Sequence, residues 1–380
     1  MTEGEGGGPG DGGRSDHDPG IGVETGADRL ATSIVPRPGG SGLLVVVFSQ
    51  VRVPAGKFGL SRLFARTAHH ALFVNDRAGG WYRGCEAAID AAVDAAVAET
   101  RPARIVYYGS SMGGFGALAA ATRRDDGPAV AFVPDLAIGE PGSRSAEAGL
   151  VPQQGEVGLA DLLARPARRR HTVVFGLYDP YDAGTAAAVH GLGAASSADL
   201  VAVASGHEVH DHLYSVNVVR RVIATFARPL AAELRQKGLL VEAPDWPALG
   251  ELGRLARAFA SGEAVDPRAV DRLGLSGNPG AARLAAEAAL RAGEQDDALA
   301  RLAALDARLH ADTVFATLPK RAKKAPALRL LALLRQAGRS TEAAALAARL
   351  TAIYGADERF HEGDARAARG TPAGEVPEEP

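Results

Sequence analysis

The sequence predicts a mostly parallel, doubly wound α/β layer followed by an all-α region. Three observations carry that prediction. Short, continuously apolar runs rich in β-branched residues recur through residue 204, and longer helical stretches separate them. After about residue 240 the strand signal stops, and Ala-, Leu- and Arg-rich helical patterns fill the chain to about residue 357. Continuous apolar runs suit strands covered on both faces of a parallel sheet, and their alternation with helices is the pattern of strand–helix–strand crossovers.

The elements follow in chain order. Residues 1–39, opening MTEGEGGGPGDGGRSDHDPG, hold few large apolar side chains, too few to offset the entropy of ordering a backbone, and are expected to be a disordered tail. An α/β domain is expected over 40–240. Its strands are LLVVVF (43–48), ALFVN (71–75), RIVYY (104–108), AVAFV (129–133), TVVFG (172–176) and LVAVA (200–204). Between the second and third, GCEAAIDAAVDAAVAET sets Ile89, Val93 and Val97 four apart, which makes one apolar helical stripe with Asp90 and Asp94 facing away. A helical domain is expected over 241–360, and a second loose tail over 361–380. Within the helical region LRAGEQDDALARL (290–302) aligns with LRQAGRSTEAAAL (334–346): each has Leu, then Gly293 or Gly338, then Ala298 or Ala343 five residues later. A glycine stop followed by a new helix start marks an antiparallel helix pair.

Composition bounds the function classes. The formal net charge of -3 supplies no global field for nucleic acid or anionic lipid, so neither is an expected partner. The single cysteine, Cys85, excludes an internal disulfide framework and any multi-cysteine zinc site, and it fits a reducing compartment, so a cytoplasmic location is expected. The N-terminus is acidic where an export signal would be basic and then apolar, and the apolar runs are far too short to span a bilayer.

The chemistry concentrates in RIVYYGSSMGGFGALAAA (104–121), an apolar strand, a glycine-rich turn, then a helix-forming run. Gly109-Ser110-Ser111-Met112-Gly113 is a G-x-S-x-G pattern. A serine on a tight bend needs nearly side-chain-free positions two before and two after it, and Gly109 and Gly113 provide them around Ser111. Ser110 would have Tyr108 and Met112 there instead. The Met112 N–H at the start of the helix is the expected oxyanion donor, with a second from the loop after the first predicted strand, at Ser49 or Gln50. Two later strand ends deliver an acid and a base. TVVFGLYDPYDAG offers Asp179 and Asp182; LVAVASGHEVHDHL offers His207, His210 and His212. Spacing favours Asp179 and His207, with Asp182, His210 and His212 as alternatives. The run His207-Glu208-Val209-His210 is one residue short of a zincin H-E-x-x-H, so no metal or other cofactor is expected. Asn75-Asp76 and Trp81-Tyr82 follow the second predicted strand, on the edge where loops converge, and Asp76, Trp81 and Tyr82 are expected to line a substrate pocket.

On these residues, about 40–235 resembles the α/β-hydrolase superfamily. The carrying motifs are the G-x-S-x-G turn, the G-x-x-D spacing from Gly176 to Asp179, and the S-G-H run Ser205-Gly206-His207. The resemblance implies an α/β-hydrolase fold, a covalent acyl-serine at Ser111 resolved by water or another acceptor, and a small or acylated substrate. Ester or thioester hydrolysis and acyl transfer both fall within it. The HGGG oxyanion loop of many esterases is absent. The C-terminal region resembles a short tetratricopeptide-like helical repeat. The alternative it raises is a non-catalytic hydrolase-fold adaptor that binds a protein partner through those helices.

Overall fold

The computed structural model describes residues 29–54 and 56–360. The expected C-terminal tail, and the expected N-terminal tail up to residue 28, lie outside the described residues. Seven strands form one sheet: β1 (Leu30–Val35), β2 (Leu43–Phe48), β3 (His70–Asp76), β4 (Arg104–Ser110), β5 (Ala129–Phe132), β6 (His171–Gly176) and β7 (Ala198–Val203). Their spatial order is β1-β3-β2-β4-β5-β6-β7. Strands β2 to β7 run parallel and sit where the apolar runs predicted them; β1 lies antiparallel against β3.

Strand β1 corrects the expectation that everything up to residue 39 is loose. Its six residues are mostly half-buried, and Leu30, Ile34 and Val35 pack on the main core. The ladder from Leu30–Asp76 to Val35–Ala71 closes the edge of β3, and Arg29 grips both oxygens of Asp76 at 2.8 and 2.9 Å. A short strand joined to a glycine-rich stretch loses its signal when the whole stretch is averaged.

Among the described residues nine α-helices connect or follow these strands: α1 (Ser61–Phe64), α2 (Glu86–Thr100), α3 (Met112–Arg124), α4 (Arg144–Glu147), α5 (Leu159–Leu163), α6 (Pro180–Gly191), α7 (Val209–Ser215), α8 (Val218–Ile223) and α9 (Leu230–Gln236). Every residue of β2 and β3 is buried, so both faces of the sheet centre are covered. On α2 the predicted stripe buries Ile89 and Val93, while Asp90 and Asp94 turn to Arg123 and Arg124 of α3. After β2 the chain first adds β3 on one side, then crosses to place β4 on the other. That reversal opens a crevice beyond the C-terminal ends of β2 and β4, where an open α/β sheet binds its ligands.

Six further α-helices follow among the described residues: α10 (Trp246–Ala260), α11 (Pro267–Asp271), α12 (Pro279–Arg291), α13 (Gln295–Ala311), α14 (Lys320–Gln336) and α15 (Ser340–Tyr354). The expected boundary at 240 does not separate two cores. The apolar cluster under the sheet continues through Leu249, Leu252 and Leu255 of α10 and reaches Ala288 of α12. At roughly 1.5–3 kcal/mol per fully buried leucine, those three side chains alone bind α10 firmly to the sheet layer. The crossing of α10 and α6 is so close that a Cβ on Gly253 would come under 3.0 Å from the Gly184 Cα. A second cluster begins at Ala286 and gathers α13, α14 and α15, so the change of core occurs across α12.

The two aligned segments are equivalent helix turns. Gly293 and Gly338 take positive φ of 81° and 69°, and beyond each the next N–H closes back on the preceding helix: Glu294 to the Ala289 carbonyl, Arg339 to the Leu334 carbonyl, both at 2.9 Å. Ala298 and Ala343 are both buried at the start of the following helix.

Candidate active site

Ser111 stands between β4 and α3 with φ 55° and ψ -121°, a backbone state that costs a non-glycine residue about 1–3 kcal/mol and persists only where its surroundings enforce it. They do so here. The Ser111 N–H donates to the Phe132 carbonyl at 2.8 Å, and its carbonyl accepts from Phe115 N–H at 3.1 Å. Around it the chain passes too close for side chains: a Cβ at Gly109 would lie under 3.0 Å from the Gly113 carbonyl, and one at Gly113 equally near the Phe48 carbonyl. The bend thus leaves no room for a side chain two residues before or two after Ser111.

His207 lies in the loop between β7 and α7. Its Nε2 is 3.2 Å from Ser111 Oγ, and its Nδ1 is 2.8 Å from Asp182 Oδ2. The acid on the histidine is thus the alternative, Asp182, and the preference for Asp179 is corrected. Asp179 is the N-cap of α6, with Pro180 at the first helical position. Its Oδ1 accepts from the N–H groups of Tyr181 and Asp182 at 3.0 and 3.2 Å, and its Oδ2 from Arg144 at 2.8 Å. Both oxygens are engaged, whereas Asp182, in the first turn, turns its carboxylate to the imidazole.

Electrostatics separates the two carboxyls. Burial pushes Asp182 up to about 6, opposed by His207 and reinforced by the charge of Asp179. Burial also pushes Asp179 up, but Arg144, with His207 and Arg283, outweighs it and holds the group below its ordinary value. For His207 burial favours the neutral ring, yet the charge and hydrogen bond of Asp182 prevail and raise it above the usual imidazole value of 6.5.

The other two histidines go elsewhere. His210 is buried with Nε2 2.8 Å from the Tyr108 hydroxyl and its ring edge-on to Phe132. His212 joins Ser205 Oγ at 3.0 Å and Thr317 Oγ1 at 3.2 Å, which ties the histidine loop to the segment before α14. The three histidines of the run H-E-V-H-D-H therefore go to three separate sets of partners. Among the described residues, no group of three or more His, Cys, Asp or Glu gathers with the geometry to hold a metal ion. No helix among them is long and apolar enough to cross a membrane.

Of the expected oxyanion donors, Met112 opens α3, so its N–H has no acceptor within the helix. Ser49 is excluded: its N–H donates to the Val74 carbonyl and its Oγ accepts from Gly59 N–H, both at 2.9 Å. The Gln50 N–H makes no hydrogen bond among the described residues. It follows β2, and β2 is paired to β4 through Phe48 and Gly109, so Gln50 and Met112 flank the same crevice.

The expected pocket residues are also corrected. Asp76 spends its oxygens on Arg29 and on the N–H groups of Ala78, Gly80 and Tyr82. Trp81 is buried, and the Tyr82 hydroxyl donates to the Ser49 carbonyl at 2.8 Å. Trp81 and Tyr82 face a cleft of about 410 Å³ with Phe115 and Ile138, and neither Ser111, Asp182 nor His207 lines it. Tyr82 braces the loop that carries Gln50. What sequence reasoning missed is a different cavity, about 290 Å³, that His207 does line; its far wall comes from α12, α13 and α14. Its only sequence signal is Asn278-Pro279, a helix cap like Asp179-Pro180.

No family model and no curated protein matches the chain. Solved structures of similar fold include the capsule O-acetyltransferase of Neisseria meningitidis serogroup A, at 13% identity over 51% of this chain and 92% of that one, TM-score 0.40. Est1E from Butyrivibrio proteoclasticus is similar at 16% identity over 52% and 95%, TM-score 0.38. XC6422 from Xanthomonas campestris, described as an α/β serine hydrolase without a lid, is similar at 14% identity over 57% and 91%, TM-score 0.35.

Proposed function

We propose that the chain is an acyl-transferring serine enzyme of the α/β-hydrolase type, working through an acyl-Ser111 intermediate to hydrolyse an ester or thioester or to pass the acyl group to another acceptor. The observation that carries this reading is the hydrogen-bonded line from Ser111 Oγ through His207 to Asp182. His207 Nε2 takes the Ser111 proton as Oγ attacks the substrate carbonyl. The Met112 and Gln50 N–H groups, at the positive end of α3, receive the oxyanion. The bond to the leaving group then breaks, and the proton held on His207 passes to the departing atom. Water or an acceptor repeats the sequence in reverse to release the acyl group. Throughout, Asp182 fixes the imidazole tautomer and stabilises its cation. An adaptor needs no such alignment, nor a serine held in a strained bend.

The test is turnover of p-nitrophenyl acetate by the full chain. Burst release of p-nitrophenol followed by steady turnover supports the reading, with both lost in Ser111→Ala. Equal turnover by Ser111→Ala, or none by the folded protein, overturns it.

A further inference from the structure

The C-terminal helices are built into the site. Asn278, buried at the start of α12, donates from Nδ2 to the Leu177 carbonyl at 2.7 Å, and a Cβ on Gly280 would come under 3.0 Å from the Tyr178 carbonyl. The loop bearing Asp179 is thus locked to α12, as the loop bearing His207 is locked to Thr317 through His212. Between them lies the 290 Å³ cavity, which His207 lines and Ser111 and Asp182 do not. In acyl transfer the imidazole protonates the leaving atom and deprotonates the acceptor, so a space lined by His207 is a place for those groups.

The cavity's charges are unevenly matched. Arg144 is shared between Asp179 and, outside the lining, Glu147. Glu208 meets Arg321 in a single 3.3 Å contact, with the arginine side chain 83% exposed. Arg283 makes no ion pair or hydrogen bond among the described residues, although its charge reaches Asp179. One guanidinium of the lining is therefore without a direct partner among the described residues and a second is loosely held. The rest of the lining includes the apolar Leu309, Leu318 and Pro326. Pro326 lies inside α14 and has no N–H, so the Ala322 carbonyl beside it in the wall lacks its helical donor.

We propose that this cavity receives the leaving group or acyl acceptor, and that the group it takes carries an anion, a carboxylate or phosphate, on a short apolar body. Arg283 and Arg321 recognise the anion. This rests on the acyl-serine reading: the leaving oxygen takes its proton from His207 while its anionic end sits on the arginines of the helical region.

The experiment compares three acetyl esters with the full chain: 4-acetoxybenzoate, 4-acetoxyphenyl phosphate, and the neutral 4-acetoxybenzamide, each read by release of its phenol. The expected result is a kcat/KM for one or both anionic esters about ten- to hundredfold above that for the amide, the scale of charge-assisted hydrogen bonds. The two anionic esters tell carboxylate from phosphate recognition. In the Arg283→Ala, Arg321→Ala double variant that ratio collapses toward one, and the corresponding Lys variants keep part of it. Both side chains are at the surface, so the variants fold. Turnover of all three esters without anionic preference, or a preference that survives the double variant, overturns the inference and leaves the acyl-serine reading standing. Absence of turnover for every ester, with no acetyl group on Ser111, overturns both.

Discussion

The two carboxylates of α6 give a demanding test, because they are three residues apart and only one touches the histidine. Asp182→Asn keeps the side-chain shape but puts an amide 2.8 Å from His207 Nδ1, where an acceptor is required. With the amide nitrogen turned to Nδ1 the imidazole is held in the other tautomer, its proton on Nε2 facing Ser111, and cannot accept from Oγ; with the amide oxygen there it keeps its tautomer but loses the charge that stabilises its cation. Asp179 cannot take over, since its Oδ1 caps α6 and its Oδ2 holds Arg144. A loss on the order of 10⁴ in kcat follows, or about 5.4 kcal/mol of transition-state stabilisation. Asp179→Asn behaves differently. Asparagine caps a helix about as well as aspartate, and the ion pair lost involves a partly exposed Arg144, so the cost is about 1 kcal/mol of stability and at most about tenfold in kcat. Burst and steady-state kinetics on p-nitrophenyl acetate, with a thermal melt of each variant, measure both. An Asp179→Asn loss equal to or larger than that of Asp182→Asn refutes the assignment.

Further outcomes follow from the same geometry. Acylation needs neutral His207, and Asp182 raises that group, so kcat/KM climbs with pH through an apparent pKa above 6.5; a limb centred at or below 6.5 contradicts this. Gly113→Ala drives a methyl into the Phe48 carbonyl and costs at least about 1–3 kcal/mol together with the reactivity of Ser111, whereas Gly191→Ala, with nothing within 4 Å of the added methyl, leaves the melting temperature unchanged or raised. Gly253→Val forces α10 away from α6 and lowers the melting temperature of the sheet-bearing part as well as of the helices; calorimetry showing an unaltered sheet transition would restore a domain boundary near 240.

How far the sequence was legible depends on how local each cause is. The six parallel strands are readable because burial on both faces makes them continuously apolar. Strand β1 is not, because an edge strand half-covered by its neighbour needs only Leu30, Ile34 and Val35 to face the core. Ser111 is readable because its bend imposes steric demands two residues to each side. The choice between Asp179 and Asp182 turned on a cue with two meanings: Asp-Pro after a strand opens an acid loop, but it also places an N-cap before Pro at the first helical position, and here the cap claims Asp179. His210 and His212 differ from His207 only by the tertiary partners they meet, Tyr108 and Thr317. The cavity beside His207 depends on contacts such as Asn278 to Leu177, 101 residues apart, which no local pattern encodes.

The central claim is that one strained serine is made nucleophilic by one imidazole. A fluorophosphonate probe reads this directly, since it forms a stable phosphonyl ester only with an activated serine. Intact-mass analysis and peptide mapping of the folded chain should show a single adduct on Ser111, absent in Ser111→Ala and strongly slowed in His207→Ala. A folded protein that takes up no probe, or an adduct on Ser110 or any other residue, contradicts the account.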